Sequence, residues 1–275
     1  MKEIETSDDS EKRGGNMRIV SISPSNTEIV AYLNQTHLLV GVDNYSDYPV
    51  EVKKLPKLGP DLSIDMDKVA SLKPDLVLAS LSVPGMEKNI EALEDRGLPY
   101  IILKADSLYE IGEEIRKVGT ALGVKREGEA KASAFLAEID SYRQKNREGG
   151  IRPSLYWEWW PKPVFSPGGK NWLTEISELA GAVNIFADKD IANYKTDWEE
   201  VKRRDPDHIC MVWVGVAEDK MNPDLLKKRP GWNGLKALKY ERIHVLEESL
   251  FCRPGPRLLA GLRQLDTLLN EKRDG

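Results

Sequence analysis

From Met17 the chain alternates short apolar runs with amphipathic stretches, and this pattern sets the class of fold before any single residue is weighed. "RIVSIS", "LLVGVD", "DLVLAS" and "YIILKA" have the length of strands and are apolar almost throughout, as strands covered on both faces must be. Helical segments lie between them, over "NTEIVAYL", from Asp65 to Leu72 and over "MEKNIEALEDRG", and another runs from Ser107 to near Gly123. Strand and helix in alternation predict parallel strands joined by crossover helices. A long stretch over 125–148 then places Phe135, Ile139 and Tyr142 on one helical face and stops at Gly149-Gly150. The alternation restarts with "SLYWEWW", a helix over "NWLTEISELAG", a helix from Asp197 and the strand "HICMVWV". Helices within "NPDLLKKRPGWNGLKALK", the strand "RIHVLE" and a last helix from Pro256 to Leu269 complete it. The expected fold is α/β, with a first lobe over 17–124, a single connecting helix over 125–148 and a second lobe over 149–275. Each lobe should hold a mostly parallel sheet flanked by helices. The polar opening, 1–16, is expected to be a disordered tail.

The stretch "IDMDKVASLKPDLVLAS" returns about 130 residues later as "TDWEEVKRRDPDHICMVWV". In both, an aspartate (Asp65, Asp197) opens a short helix, where capping and the helix dipole favour an acid. A further carboxylate follows two residues on (Asp67, Glu199), and Pro74-Asp75 and Pro206-Asp207 launch the next strand. Met66 with Val69, and Trp198 with Val201, form a buried i, i+3 stripe that turns residues 67 and 199 towards solvent. Each lobe therefore displays one carboxylate on an outer face.

Composition narrows the function. A charged fraction of 31% beside 40% hydrophobic residues is that of a soluble globular protein, and a net charge of −5 leaves no basic stripe for nucleic acid. No apolar stretch reaches membrane-spanning length. The start of the sequence shows neither a signal peptide nor a lipid-anchor cysteine, so a cytoplasmic location is expected of the chain as written. Cys210 and Cys252 are too few for a disulfide framework, and Cys210 reads as a small buried hydrophobe. His37, His208 and His244 are scattered, without a partner at ligand spacing, so no metal centre is expected. "SPGGKNW" lacks the spacing of a phosphate loop, and no nucleophile elbow surrounds Ser23 and Ser25. There Ser25 or Asn26 is expected to cap a helix. No catalytic residue is expected.

In their order from about Met17 to Leu269, "RIVSISPSNTEIV", "VGVDNYSDYP", "LKPDLVLAS", "GGKNWLTEISELAGAVNIFAD", "VKRRDPDHICMV" and "FCRPGPR" resemble the class III periplasmic binding proteins that feed ABC importers, most closely the cobalamin-binding branch. The resemblance implies two α/β lobes joined by one rigid helix, a ligand cleft between the lobes and no catalysis. It implies cobalamin or a related corrinoid as transported ligand, no cofactor of the protein's own, an importer permease as partner and a monomer. It also implies an extracytoplasmic location if the native N-terminus differs from the one written. Tyr45 maps onto a corrinoid-contacting tyrosine, Arg253 onto an arginine that reaches the ligand's polar rim, and Tyr194 lies in a loop that carries an aromatic residue. Asp67 and Glu199 map onto the carboxylates that dock on permease arginines.

Loops at the open ends of parallel strands are where such sheets bind small molecules. This adds Trp160 and Phe165 from "WWPKPVF" and Leu250 and Phe251 from "SLFCRPG". All seven tryptophans lie between Trp157 and Trp232, which suits a broad, flat, mainly apolar guest. Trp157, Trp198 and Trp213 fall at core-facing positions. Two first-lobe tryptophans of the enteric relatives are missing, with Ser80 at or near one place and Pro60 or Asp61 near the other, and Ala180 stands where the family has a disulfide cysteine. Two other readings stay open: a cytoplasmic corrinoid carrier or sensor, and a siderophore or haem receptor of the same fold with Tyr45 or Tyr194 as an axial ligand.

Overall fold

The computed structural model describes residues 17–145 and 152–271, so the expected tail over 1–16 and the end of the connecting helix over 146–148 lie outside the described residues. The chain divides into two compact units, one of 17–105 with 109–136, the other of 106–108 with 137–145 and 152–271.

The first unit is built from β1 (Ile19–Ser21), α1 (Pro24–Tyr32), β2 (Leu39–Val42), α2 (Met66–Ser71), β3 (Leu76–Ser80), α3 (Glu87–Asp95), β4 (Tyr100–Leu103), nearly all of α4 (Leu108–Ala121) and the first half of α5 (Lys125–Lys145). Its sheet has the order β2-β1-β3-β4, and every pairing is parallel. β3, with neighbours on both sides and helices on both faces, is buried along its whole length, which is why it reads as an unbroken apolar run. Val20, Val77 and Ala79 from the sheet pack with Val69 of α2 and Leu93 of α3 in one core.

α1 starts earlier than the sequence implied. Ser23 takes the cap position and Pro24 the first helical place, where a fixed φ and a missing N–H cost nothing. Asn26, expected as a cap, is thereby freed. Its side-chain amide donates to the carbonyls of Leu78 and Ala79 at 3.1 and 3.0 Å and ties α1 to β3. Where α4 meets α5 the backbones touch, because a Cβ on Gly119 would lie 2.6 Å from the Cα of Gly128.

The second unit holds β5 (Ser154–Glu158), β6 (Trp160–Pro161), β7 (Val164–Pro167), α6 (Trp172–Leu179), β8 (Val183–Asn184), β9 (Asn193–Thr196), α7 (Trp198–Arg204), β10 (His208–Met211), α8 (Asp224–Lys227), α9 (Lys236–Lys239), β11 (Ile243–Val245), α10 (Glu248–Phe251) and α11 (Leu258–Glu271). Its main sheet runs β11-β10-β5-β8, again wholly parallel. A second sheet, β6-β7-β9, is antiparallel and was not foreseen. Its strands are only two to four residues long, too short for hydrophobic alternation to give a signal. The second half of α5 is tied to α11 by Glu138 with Arg263 and Lys145 with Asp266.

The repeat seen in the sequence extends to single hydrogen bonds. Asp65 accepts from the Lys68 amide and Asp197 from the Glu200 amide, so both aspartates cap their helices. The residue before each proline leaves the helix by turning left-handed, Lys73 at φ 48° and Asp205 at φ 44°. After the proline, Asp75 accepts from the Arg18 amide at 2.8 Å and Asp207 from the Ser154 amide at 2.9 Å. In each unit this aspartate therefore clamps the start of the first strand to the start of the strand beside it.

Candidate functional site

In a wholly parallel sheet all carboxyl ends share one edge, and the loops that leave this edge carry most of the expected ligand residues. In the first unit, β2 runs out into Asp43–Tyr48. Tyr45 is 49% exposed, and Tyr48 on the same loop and Leu62 and Val83 on neighbouring loops leave comparable apolar area open. A Cβ on Gly85 would lie 3.7 Å from Leu62, so two of these loops adjoin. The Tyr45 loop is pinned from below. The Asn44 amide donates to the Gly59 carbonyl at 2.9 Å, and the Gly59 amide donates back to Asn44 Oδ1 at 3.1 Å. Lys57 Nζ donates to the carbonyls of Asp43 and Ser46.

Beneath that loop lies a group that motif reading passed over. Asp43 is fully buried and accepts from the Ser46 amide at 2.9 Å and from Ser46 Oγ at 3.2 Å. Burial outweighs these hydrogen bonds and the pull of Lys57, and with Asp61 nearby it lifts the carboxyl to about 6. The lysine shifts the other way, lowered chiefly by its own burial. The signal was present in "VGVDNYS", since an acid at the end of a buried strand can accept from backbone amides of the turn that follows it.

In the second unit β5 runs out into Trp159 and Trp160. Trp159 is buried and tilts against Trp172 with ring centroids 5.8 Å apart, whereas Trp160 is 41% exposed on β6. Trp160 lies opposite Phe165 across the β6-β7 pair, and its indole N–H donates to the Lys162 carbonyl at 3.1 Å. Val214, on the loop after β10, donates its amide to the Trp159 carbonyl and is itself exposed, so it extends the apolar edge beside Trp160. Tyr194, expected in a loop, sits instead on strand β9. It is half-buried, its ring is 5.1 Å from that of Phe186, and Lys189 Nζ lies 5.4 Å from its ring centre.

Leu250, Phe251 and Arg253 lie on and just after α10. The Phe251 ring is fully buried and packs on Trp157 at 5.5 Å, while its carbonyl accepts from the Trp172 indole at 2.8 Å. With no exposed surface, this ring packs wholly within the unit. Leu250 beside it is half-buried, and its carbonyl lies so close to α11 that a Cβ on Gly261 would come within 2.3 Å. Arg253 is ion-paired with Glu248 at 3.1 Å and its side chain is only 10% exposed, so its charge is largely engaged within the unit.

Behind the hairpin, Glu158 and Arg229 form a buried ion pair, with Arg229 Nη2 donating to Glu158 Oε1 at 2.9 Å. Trp213 Nε1 and the Tyr156 hydroxyl donate to the same carboxylate. The guanidinium lies over the rings of Trp198 and Trp232, at 4.7 and 4.4 Å.

The histidines are not all scattered. His208 and His244, on adjacent strands, stack with Nδ1 2.9 Å from Nε2 and are both buried. Among the described residues no three His, Cys, Asp or Glu side chains gather as a metal site. Burial raises the thiols of Cys210 and Cys252, which keeps both protonated and unreactive. The remaining named carboxylates are on the surface. Asp67, second residue after the cap of α2, is 88% exposed at its side chain and pairs with Arg96, while Glu199, in the same place on α7, is 69% exposed and pairs with Lys202.

The periplasmic binding protein family matches residues 19–250. The chain belongs to that family. The uncharacterized ABC transporter substrate-binding lipoprotein YvrC of Bacillus subtilis is 31% identical over 253 residues, which is 90% of this chain and 78% of that one. A vitamin B12-binding protein of Pectobacterium carotovorum is 29% identical over 250 residues, 90% of this chain and 86% of that one. Among solved structures, a periplasmic heme-binding protein of Roseiflexus sp. RS-1 in apo form superposes with a TM-score of 0.80 at 27% identity, covering 92% of this chain and 98% of that one. The parallel sheets flanked by helices in the two units are what the sequence implied.

Proposed function

We propose that this member of the periplasmic binding protein family is a non-catalytic substrate-binding protein that takes up cobalamin or a related corrinoid and hands it to an ABC importer outside the cytoplasm. The observation that carries the ligand class is the placement of exposed aromatic side chains, Tyr45 and Trp160, at the carboxyl ends of two wholly parallel sheets. They are rigid, broad and largely apolar, as a corrin ring requires. Similarity to a vitamin B12-binding protein over nine-tenths of this chain supports the same ligand, and similarity to a lipoprotein supports the location. Among the described residues no helix is long and apolar enough to cross a membrane.

In this reading Tyr45, Trp160 and Phe165 supply the flat contacts, with Leu250 and Tyr194 at the margin and Arg253 acting through Glu248. Asp67 and Glu199 meet cations of the permease. Each already has an exposed cationic neighbour, and such pairs contribute only about 0 to 1 kcal/mol, so exchanging one partner for another costs little. Docking then sets register and encounter rate while leaving the complex able to separate.

Titration with cyanocobalamin tests the ligand. A saturable quenching of tryptophan fluorescence is expected, weakened at least tenfold in affinity by Tyr45→Ala and lost in large part with Trp160→Ala. An unsaturable, purely optical quench unaltered by both substitutions rejects the reading. Haem is the second reading, favoured by the likeness to the Roseiflexus protein and by the exposed Tyr45, whose hydroxyl would serve as an axial oxygen. A sharpened Soret band on adding haem, lost in Tyr45→Phe, selects it.

A further inference from the structure

The buried cluster under the Tyr45 loop is a continuous chain of hydroxyls that ends on Asp43. Asp43 Oδ1 is 3.2 Å from Ser46 Oγ, Ser46 Oγ is 2.7 Å from Thr27 Oγ1, Thr27 Oγ1 is 2.8 Å from Ser21 Oγ, and Ser21 Oγ is 3.1 Å from the Ser23 carbonyl. All four side chains are buried. Four links need four protons, and each hydroxyl owns one. With Asp43 ionised only three protons are available, so one link is empty. With Asp43 protonated these four links are all filled, the protons running from Asp43 through Ser46, Thr27 and Ser21 to the Ser23 carbonyl in place of the longer bond, 3.3 Å, that Thr27 Oγ1 can make to the same carbonyl, and the Ser46 amide still donates to Asp43 Oδ2 at 2.9 Å.

We propose that Asp43 is the positioning residue of the Tyr45 loop, that its proton closes this chain, and that loss of the proton loosens the loop and weakens ligand capture. The part concerning capture rests on Tyr45 being a ligand contact; the part concerning the loop does not. The charged groups around the acid pull in opposite directions. Asp61 opposes ionisation. Lys57 favours it, yet its amine is spent on the carbonyls of Asp43 and Ser46 and is itself answered by Asp47. From α1 the side facing the chain is Thr27, followed by the buried Glu28. The carboxyl is held at about 6 by burial, so the closed loop binds the proton more tightly than an open, hydrated one. The closed state is therefore most favoured below the ordinary carboxylate range and progressively less so as pH rises towards 6 and beyond.

Amide hydrogen exchange on the full chain reads this directly. Protection factors over residues 44–48 should fall by roughly twentyfold between pH 4.5 and 7, while those in β3 do not follow. Asp43→Asn keeps a neutral donor to Ser46 Oγ and should give acid-like protection at both pH values. Asp43→Ala breaks the chain and should lose protection at both. A wild-type slope that persists in Asp43→Asn, or an Asn variant as loose as the Ala variant, overturns the proposal. Cyanocobalamin affinity supplies the second arm, expected to weaken several-fold from pH 5 to 7.5 in the wild type and to stay constant in Asp43→Asn. Flat affinity in a wild type that binds cyanocobalamin and shows the exchange slope refutes the coupling to capture. Absence of any cyanocobalamin binding, with the exchange results as expected, refutes the corrinoid reading and leaves the loop clamp standing.

Discussion

Glu158 and Arg229 show what one buried charge demands of its surroundings. The carboxylate has no exposure, and it is matched by a guanidinium, an indole N–H and a phenol, while two tryptophan faces cover the guanidinium. Desolvating two ions is offset only when geometry of this kind is complete. Glu158→Gln leaves the guanidinium buried without its counter-ion, and urea unfolding should show a loss of about 3 to 5 kcal/mol. Replacing both residues by methionine removes the orphaned charge together with its partner and should recover most of that loss. A single substitution that proves neutral would mean the guanidinium reaches water. The same network underlies the aromatic edge of the second unit, because Glu158 is the last residue of β5 before Trp159 and Trp160.

At the scale of elements, the strands and most helices were legible because burial on both faces writes an unbroken apolar run, as in Leu76–Ser80, and because Asp65 and Asp197 mark helix starts chemically. The β6-β7-β9 sheet was not legible. Its residues are held by pairing across the chain, Phe165 opposite Lys195 and Ser166 opposite Tyr194, and tertiary pairing leaves no local period to read. Tyr45 and Trp160 could be named from their loops, but neither the burial of Phe251 nor the hydroxyl chain on Asp43 could, since both depend on residues distant in sequence. Gly119 and Gly128 are a further case, two unremarked glycines that set the approach of α4 to α5. Gly119→Ala forces these backbones apart and should lower stability by about 1 to 3 kcal/mol in thermal or urea unfolding. An alanine variant as stable as the parent would contradict the contact.

For the molecule as a whole, the two units repeat one design: a capped helix with an exposed acid, a left-handed exit before proline, and an aspartate that clamps the first strand. The two exposed acids stand on α2 and α7 and the exposed aromatics at strand ends, so docking and capture should separate. In reconstituted transport, Asp67→Ala with Glu199→Ala should reduce stimulation of the permease at least tenfold and leave ligand affinity within twofold; unaltered transport would remove the docking role. The central claim is the identity of the guest. The most direct measurement is equilibrium dialysis of the purified full chain against cyanocobalamin and, separately, haem, with bound ligand counted by absorption. The account predicts about one corrinoid per chain with no stoichiometric haem, and saturation by haem with no corrinoid bound would contradict it.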